Sequence, residues 1–328
     1  MAPSGAEWWI EEGIGEHRAI RLQAGAIAAA RIDWRDGLAR GQVADAVLVS
    51  RPRGAARGTA RFASGEQALV DRLPPDAAEG ATLRLEVTRP ALREGARRKL
   101  AQARPATSPP RPAPTLAQSL AAEGHTVRTV RRFPDGDWDE LLADAFAGTI
   151  AFTGGALTLS ATPAMVLVDI DGILPPRALA LAAIGPLVAA LHRLDLGGSI
   201  GIDFPTLPAR EDRRAVDDAL AAALAGWPHE RTAMNGFGFV QLVARLERPS
   251  LLHRAAHQSA AAAARWLLRR AEGLEGAGAV LLEAHPATLA ALRPEWLEEL
   301  ARRTGRAVRV APRGDLAPEA SHAQLVPR

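Results

Sequence analysis

The spacing of apolar positions changes character near the middle of the chain. In the first hundred residues the apolar runs are short and alternate with polar positions. AIRLQAGAIAAARIDW (19–34) is broken at Gly25, and QVADAVLV, GTARFA, EQALV and ATLRLEVTR follow between Gly41 and Arg89, parted by Gly and Pro. Such spacing predicts two strands joined by a turn and then a small barrel. PALREGARRKLAQA (90–103) reads as a basic helix, and RPATSPPRPAP (104–114) as a linker, because repeated proline holds neither a helix nor a central strand. TLAQSLAAEG (115–124) reads as helical and HTVRTVRRF (125–133) as a basic strand.

After residue 140 strand-like and helix-like stretches alternate. AMVLVDI (164–170) precedes the helical ALALAAIGPLVAALHRL (178–194), and GGSIGIDF (197–204) precedes AREDRRAVDDALAAALAG (209–226), whose Val216, Leu220 and Leu224 form one apolar face. With GFGFVQLVAR (236–245) as a further strand, the order implies a sheet with right-handed crossovers. The tail reads as a compact α/β unit: a helix over 255–270, the strand AVLLEAHP, a helix over 287–303 and the strand RAVRVAP.

Composition narrows the possibilities. At 328 residues the chain is long enough for about two to three domains. Its net charge is only +3, but Lys99 is the single lysine, so nearly all the positive charge is guanidinium, which suits phosphate oxygens. The absence of cysteine excludes disulfides, thiolate zinc sites and cysteine nucleophiles. The N-terminus MAPSGAEWWIEEGIGE is acidic where a signal peptide is basic, and no apolar run reaches the roughly 18 residues that span a membrane, so a cytoplasmic protein without a membrane partner is expected.

Chemistry concentrates at MVLVDIDG (165–172). Side chains two apart on a strand share a side, so Asp169 and Asp171 face one way, and Asp203 ends the next apolar run, IGIDF. If the two strands are parallel neighbours, all three carboxylates emerge at a carboxyl edge, where α/β sheets hold ligands. Close carboxylates are relieved by a shared divalent cation, Mg²⁺ or Mn²⁺; the competing explanation is that each Asp caps the turn or helix after it. A phosphoaspartate mechanism also uses such a strand but needs a downstream lysine, and Lys99 lies upstream. His253 and His257 stand four apart, but Arg254 occupies the place where a zinc protease needs Glu. No Gly-Lys pair exists for a Walker loop.

Taken together, VDIDG (168–172), RLDLGGSIGIDF (193–204), AREDRRAV (209–216) and GFGFVQLVAR resemble the ribonuclease E/G family. LLEAHPATLAAL and LEELARRTGRAVRV are similar to the small C-terminal domain of its G-type members, and EGATLRLEVTRPALREGARRKL to the exit of its OB-type barrel. The resemblance implies a ribonuclease-H-like α/β scaffold (1–37) with an inserted OB-type RNA-binding barrel (38–103) and a Pro-rich linker (104–114). A shortened 5′-sensor segment (115–140), a deoxyribonuclease-I-like α/β catalytic region (141–250) and a small C-terminal domain (251–328) follow. The activity it implies is endonucleolytic cleavage of single-stranded RNA, with Asp169 and Asp203 holding one Mg²⁺ (or Mn²⁺) that activates water. GHTVRTV (124–130) is similar to the family's G-x-I-V-R-T, which would give Arg128 and Thr129 the RNA 5′-monophosphate, while Arg51, Arg53, Arg57 and Arg61 form a basic cluster for RNA on the barrel.

Departures from the family pattern bear on activity. Asp171, read with Asp169 and Asp203 as catalytic, stands where the family has Asn, so that it would be a third metal ligand, a base that binds water, or an impairment of catalysis. Gln241 replaces a Glu and Ala244 an Arg, and the barrel stretch 38–95 holds one aromatic, Phe62. The alternative reading is therefore an RNA-binding or regulatory relative that has lost cleavage. Zinc-linked assembly of the E-type kind is closed to a cysteine-free chain, so a homodimer would form by other contacts.

Overall fold

The structure, a computed structural model, describes residues 7–94, 97–134 and 137–327. The first six residues of the acidic N-terminal stretch lie outside them. Three strands, β1 (Trp8–Glu12), β2 (His17–Gln23) and β3 (Ala26–Asp33), form an antiparallel meander, with the turn at Gly25 that the sequence predicts. A late strand, β11 (Val127–Val130), returns to lie parallel to β1, giving the order β11-β1-β2-β3. Segments 1–37 and 115–140 therefore share one sheet, against which α1 (Leu116–Ala122) packs Leu116 and Leu120. A capping box between Thr115 and Gln118 starts that helix.

The barrel is inserted between β3 and α1. Its strands β4 (Val43–Ser50), β5 (Arg57–Phe62) and β6 (Gln67–Asp71) form a meander, β7 (Thr82–Arg89) pairs with β4, and β10 (Ala101–Pro105) closes the ring, parallel to β6 and antiparallel to β7. Alternate side chains such as Leu48, Ala60, Phe62, Val70, Leu85, Val87 and Ala103 fill the interior. The helix expected over 90–103 is not formed. That stretch instead gives the hairpin β8 (Leu92–Glu94) and β9 (Arg97–Lys99), then β10. Ala101 and Ala103 are small enough for the barrel interior, and closing the ring outweighs local helix preference. The Pro-rich stretch is not a free tether, since Arg111 bridges to Val43 along the barrel.

A six-stranded sheet runs β12 (Thr149–Phe152), β13 (Gly155–Ala161), β14 (Val166–Gly172), β15 (Gly198–Asp203), β17 (Phe239–Ala244), β16 (His229–Arg231). Only β14 and β15 are parallel, joined by α3 (Pro176–Arg193), and every other neighbour is antiparallel. The crossover sheet expected from strand–helix alternation is thus one crossover with antiparallel hairpins on either side. Its core face packs against α2 (Asp137–Ala147), α3 and α4 (Arg210–Ala223), with Val216 and Leu220 of α4 buried as their periodicity predicts.

The C-terminal part begins with α5 (Leu251–His257) and α6 (Ser259–Glu272), two helices where one was expected. The sheet β19-β18-β20 follows, with β18 (Ala279–Ala284) central, β19 (Val308–Pro312) and β20 (His322–Val326) beside it, and α7 (Pro286–Ala291) and α8 (Pro294–Thr304) in one crossover. Pro294 divides α7 from α8, because it supplies no amide to a continuing helix. This part is fastened to the first sheet by ions. Glu11 binds both Arg18 and Arg269, Arg18 also binds Glu16, and Asp36 binds Arg265 and Arg293. Among the described residues no helix is long and apolar enough to cross a membrane.

Candidate metal centre and nucleic-acid surface

On β14, Val166, Val168 and Ile170 are buried in the core, so Leu167, Asp169 and Asp171 point to the opposite face. On β15, Ile200 and Ile202 take the core side, and the parallel register sets Asp203 directly beside Asp169. All three carboxylates therefore emerge on one face at the carboxyl edge of the sheet's only parallel pair, where the sequence places them. Helix capping does not account for them, since the N-caps of α3 and α4 are Pro175 and Ala209, without a side-chain cap.

Rigid neighbours hold this edge. Phe239 on β17 registers with Asp203, and Gly201 leaves room for the Phe239 ring, which a Cβ there would meet at 2.6 Å. The turn before β17 is closed by Asn235, whose Oδ1 accepts from the amides of Phe237 (2.9 Å) and Phe239 (3.0 Å). Gly238 in that turn has φ +90° and would press any side chain on the Phe204 carbonyl, so glycine is required there. Two large apolar side chains stand in solvent beside the acids: Ile173, 93% exposed, and Phe237, 82% exposed.

Partial burial raises the Asp169 carboxyl above its ordinary value. The charge of Asp171, a hydrogen bond with its side chain and the charge of Asp203 add to the rise, against a smaller opposing effect of the Ile170 amide. Among the described residues no group of three His, Asp or Glu side chains stands as a ready metal cage. What the edge offers is a pair of carboxylates on neighbouring strands with a third acid close by. That donor set suits Mg²⁺, which is commonly bound through one or two carboxylates and keeps several waters.

The other predicted residues lie elsewhere. Arg128 and Thr129 are exposed on β11 of the first sheet, with the Arg128 guanidinium 5.5 Å from the centre of the Trp9 ring. Arg51 is committed to its own fold: it donates to the carbonyls of Ala55 (2.9 Å), Pro75 (3.2 Å) and Ala77 and pins two barrel loops. Arg57 pairs with Asp71 at 2.5 Å, whereas Arg53 and Arg61 are exposed. His253 meets the Arg93 carbonyl at 2.5 Å and lies edge-on to His257, so it packs the β8–β9 hairpin on α5.

A basic surface that the sequence signals only in part lies beside the barrel. A cleft of about 600 Å³ is lined by Arg72, Arg89, Lys99, Arg104 and Arg245 against one acid, Asp71, and a second of about 700 Å³ by Arg40, Arg104, Arg111 and Arg245 against Glu86 and Glu123. Glu86 pairs with Arg104 and Arg111, and Glu247 with Arg40 and Arg245. The two clefts share Thr88, Arg104 and Arg245 and follow the junction of barrel, Pro-rich stretch and the end of β17. Arg89, Lys99 and Arg104 lie in or beside the basic stretch 90–103, but the other cations come from other parts of the chain, so no single run signals the whole surface. Arg245 lies at the opposite end of β17 from Phe239, so this groove and the acids occupy opposite edges of the sheet, roughly 20 Å apart at strand rise. Against known proteins, the chain matches no family model and no curated sequence.

Proposed function

We propose that this chain is a metal-dependent endoribonuclease of the ribonuclease E/G type, acting on single-stranded RNA in RNA processing or decay. The observation that carries this reading is Asp169 beside Asp203 on adjacent parallel strands at an open sheet edge. Strand order supports the finer fold assignment. A β4-β5-β6 meander closed by β10 parallel to β6 is the connectivity of an OB-type barrel, and β3-β2-β1 with β11 parallel to β1 is that of a ribonuclease-H-like start. The six-stranded sheet with its acids at one edge takes the place of the deoxyribonuclease-I-like region.

Asp169 and Asp203 would hold a Mg²⁺ or Mn²⁺ ion, whose contribution is a more acidic bound water and an electrophile for phosphoryl oxygen. The protein's own groups then define the rest. Asp171 and Asp203 raise the affinity of Asp169 for a proton, so a cation held there would compete with that proton. The basic groove binds phosphates, and the open face of the sheet leads the strand across roughly 20 Å to the acids. Phe237 stacks on a base beside the scissile phosphate. Arg128 and Thr129, backed by Trp9, take a 5′-phosphate.

The second reading, an RNA-binding relative without cleavage, is favoured by Asp171 in place of Asn and by the separation of groove from acids. One experiment separates them: cleavage of a short fluorescent single-stranded RNA with Mg²⁺, as 5′-monophosphate and 5′-hydroxyl forms, by wild type and Asp203→Ala. Magnesium-dependent cutting that falls at least about a hundredfold in the variant is expected. Equal cutting by the variant overturns the proposed metal centre. No cutting by either protein, with salt-sensitive binding intact, leaves the binding reading standing in its place.

A further inference from the structure

Among the described residues two buried guanidiniums form no ion pair: Arg89, which neutral acceptors hold, and Arg254. Arg254 in α5 is only 7% exposed, its Cζ lies 3.9 Å from the centre of the Trp34 ring, and its Nε meets no acceptor. Arg265 covers Trp34 as well, at 3.8 Å. Burial, and then the like charge of Arg265, lower the pKa of Arg254 against the more distant charges of Glu16, Asp33 and Asp36, but a guanidinium stays charged across the pH range in which proteins fold. A buried charge without a partner is strongly unfavourable, and a guanidinium is a fork that suits an oxyanion.

Arg254 opens on a cavity of about 130 Å³, lined also by Trp34, Arg40, Ser119, Arg248 and Gln258. A single water needs only about 10–15 Å³ of such space. The acids of the neighbourhood are already shared. Glu247 pairs with Arg40, Arg245 and Arg248; Asp195 with Arg248; Asp36 with Arg265 and Arg293. Five guanidiniums thus divide three carboxylates, and Arg254 is a sixth. Asp33, the remaining acid of the lining, faces Arg35 at 3.8 Å.

We propose that this cavity binds a tetrahedral oxyanion, phosphate, through Arg254, with Arg40 and Arg248 adding positive charge and Ser119 and Gln258 neutral donors. The site shares no residue with the acidic edge and does not depend on the nuclease reading. Its walls come from the end of β3, the start of α1, the segment after β17, and α5. A bound anion therefore ties the first sheet to the C-terminal part.

The test measures thermal unfolding of the full chain with inorganic phosphate against chloride at matched ionic strength. The same titration is repeated with uridine 5′-monophosphate and with uridine. Wild type is expected to gain about 2–4 °C at ten times the dissociation constant. Arg254→Met is expected to lose that gain. Gln258→Glu, which places an internal carboxylate in the cavity, is expected to be more stable than wild type without phosphate and insensitive to it. Stabilisation by inorganic phosphate alone identifies a free anion as the ligand, and stabilisation by the nucleotide but not by uridine identifies a nucleotide's phosphate. The proposal is overturned if neither inorganic phosphate nor the nucleotide stabilises wild type, or if the one that does stabilises Arg254→Met or Gln258→Glu equally.

Discussion

Asp171 is the residue on which the acidic edge turns, because it adds a third charge where the metal reading needs two. With its pKa raised, Asp169 holds its proton more tightly in the folded than in the unfolded chain, so its contribution to stability falls as pH rises from the unfolded value, about 3.9, through the folded one. Asp171→Asn removes the largest charge acting on it. The variant is expected to melt above wild type at pH 7, with the gain vanishing below the carboxylate range, as measured by thermal unfolding across pH. It should also bind Mn²⁺ with a weaker pH dependence, since less proton must be displaced. Phe237→Ala is expected to weaken RNA binding by about 1–3 kcal/mol, read by titration of a labelled strand. The three acids were legible because an apolar run makes each polar position in it conspicuous and the two-residue period gives its side. Arg254 was not, because its meaning lies in the absence of a partner, which only the fold reveals.

At the scale of elements, hairpins and amphipathic helices with local signals formed as expected, and errors gathered where distant strands decide. Residues 90–103 look helical by themselves and become strands because the barrel needs a fifth member beside β6 and β7. The strands β12, β13 and β20 gave no comparable signal. The ion cluster joining β1, β2 and α6 offers a sharp check. Burial alone would raise the Glu11 carboxyl, but Arg18 and Arg269, with their hydrogen bonds, outweigh it and hold the group below its ordinary value. Its stabilisation is therefore present above the unfolded value, about 4.3, and is lost as pH falls through the folded one. Arg18→Met leaves Glu11 and Glu16 underpaired and is expected to cost about 3–5 kcal/mol in denaturant unfolding, with acid unfolding beginning at higher pH.

For the molecule as a whole, a small net charge conceals local concentrations: five cations against Asp71 line one cleft at the barrel junction, and three carboxylates stand at the far edge of the sheet. Binding of single-stranded RNA is expected to fall linearly on a log–log plot against salt, and Arg72→Gln, which removes an exposed guanidinium of the first cleft, to lower that slope by about one. Arg51→Gln is expected to leave the slope unchanged and to loosen the loops it pins, because its donors are taken by carbonyls.

The insertion of the barrel between β3 and β11 also has a consequence in time. The outer edge of β1 finds its partner only after more than a hundred further residues have been added. At a ribosomal rate of about 5–20 residues per second, that edge stays open for roughly 5–20 s in every newborn chain. An unpaired strand edge is a template for association. The interval between synthesis of β1 and of β11 is thus a window in which the newborn chain exposes a pairing edge, and a stall within the Pro-rich stretch would prolong it.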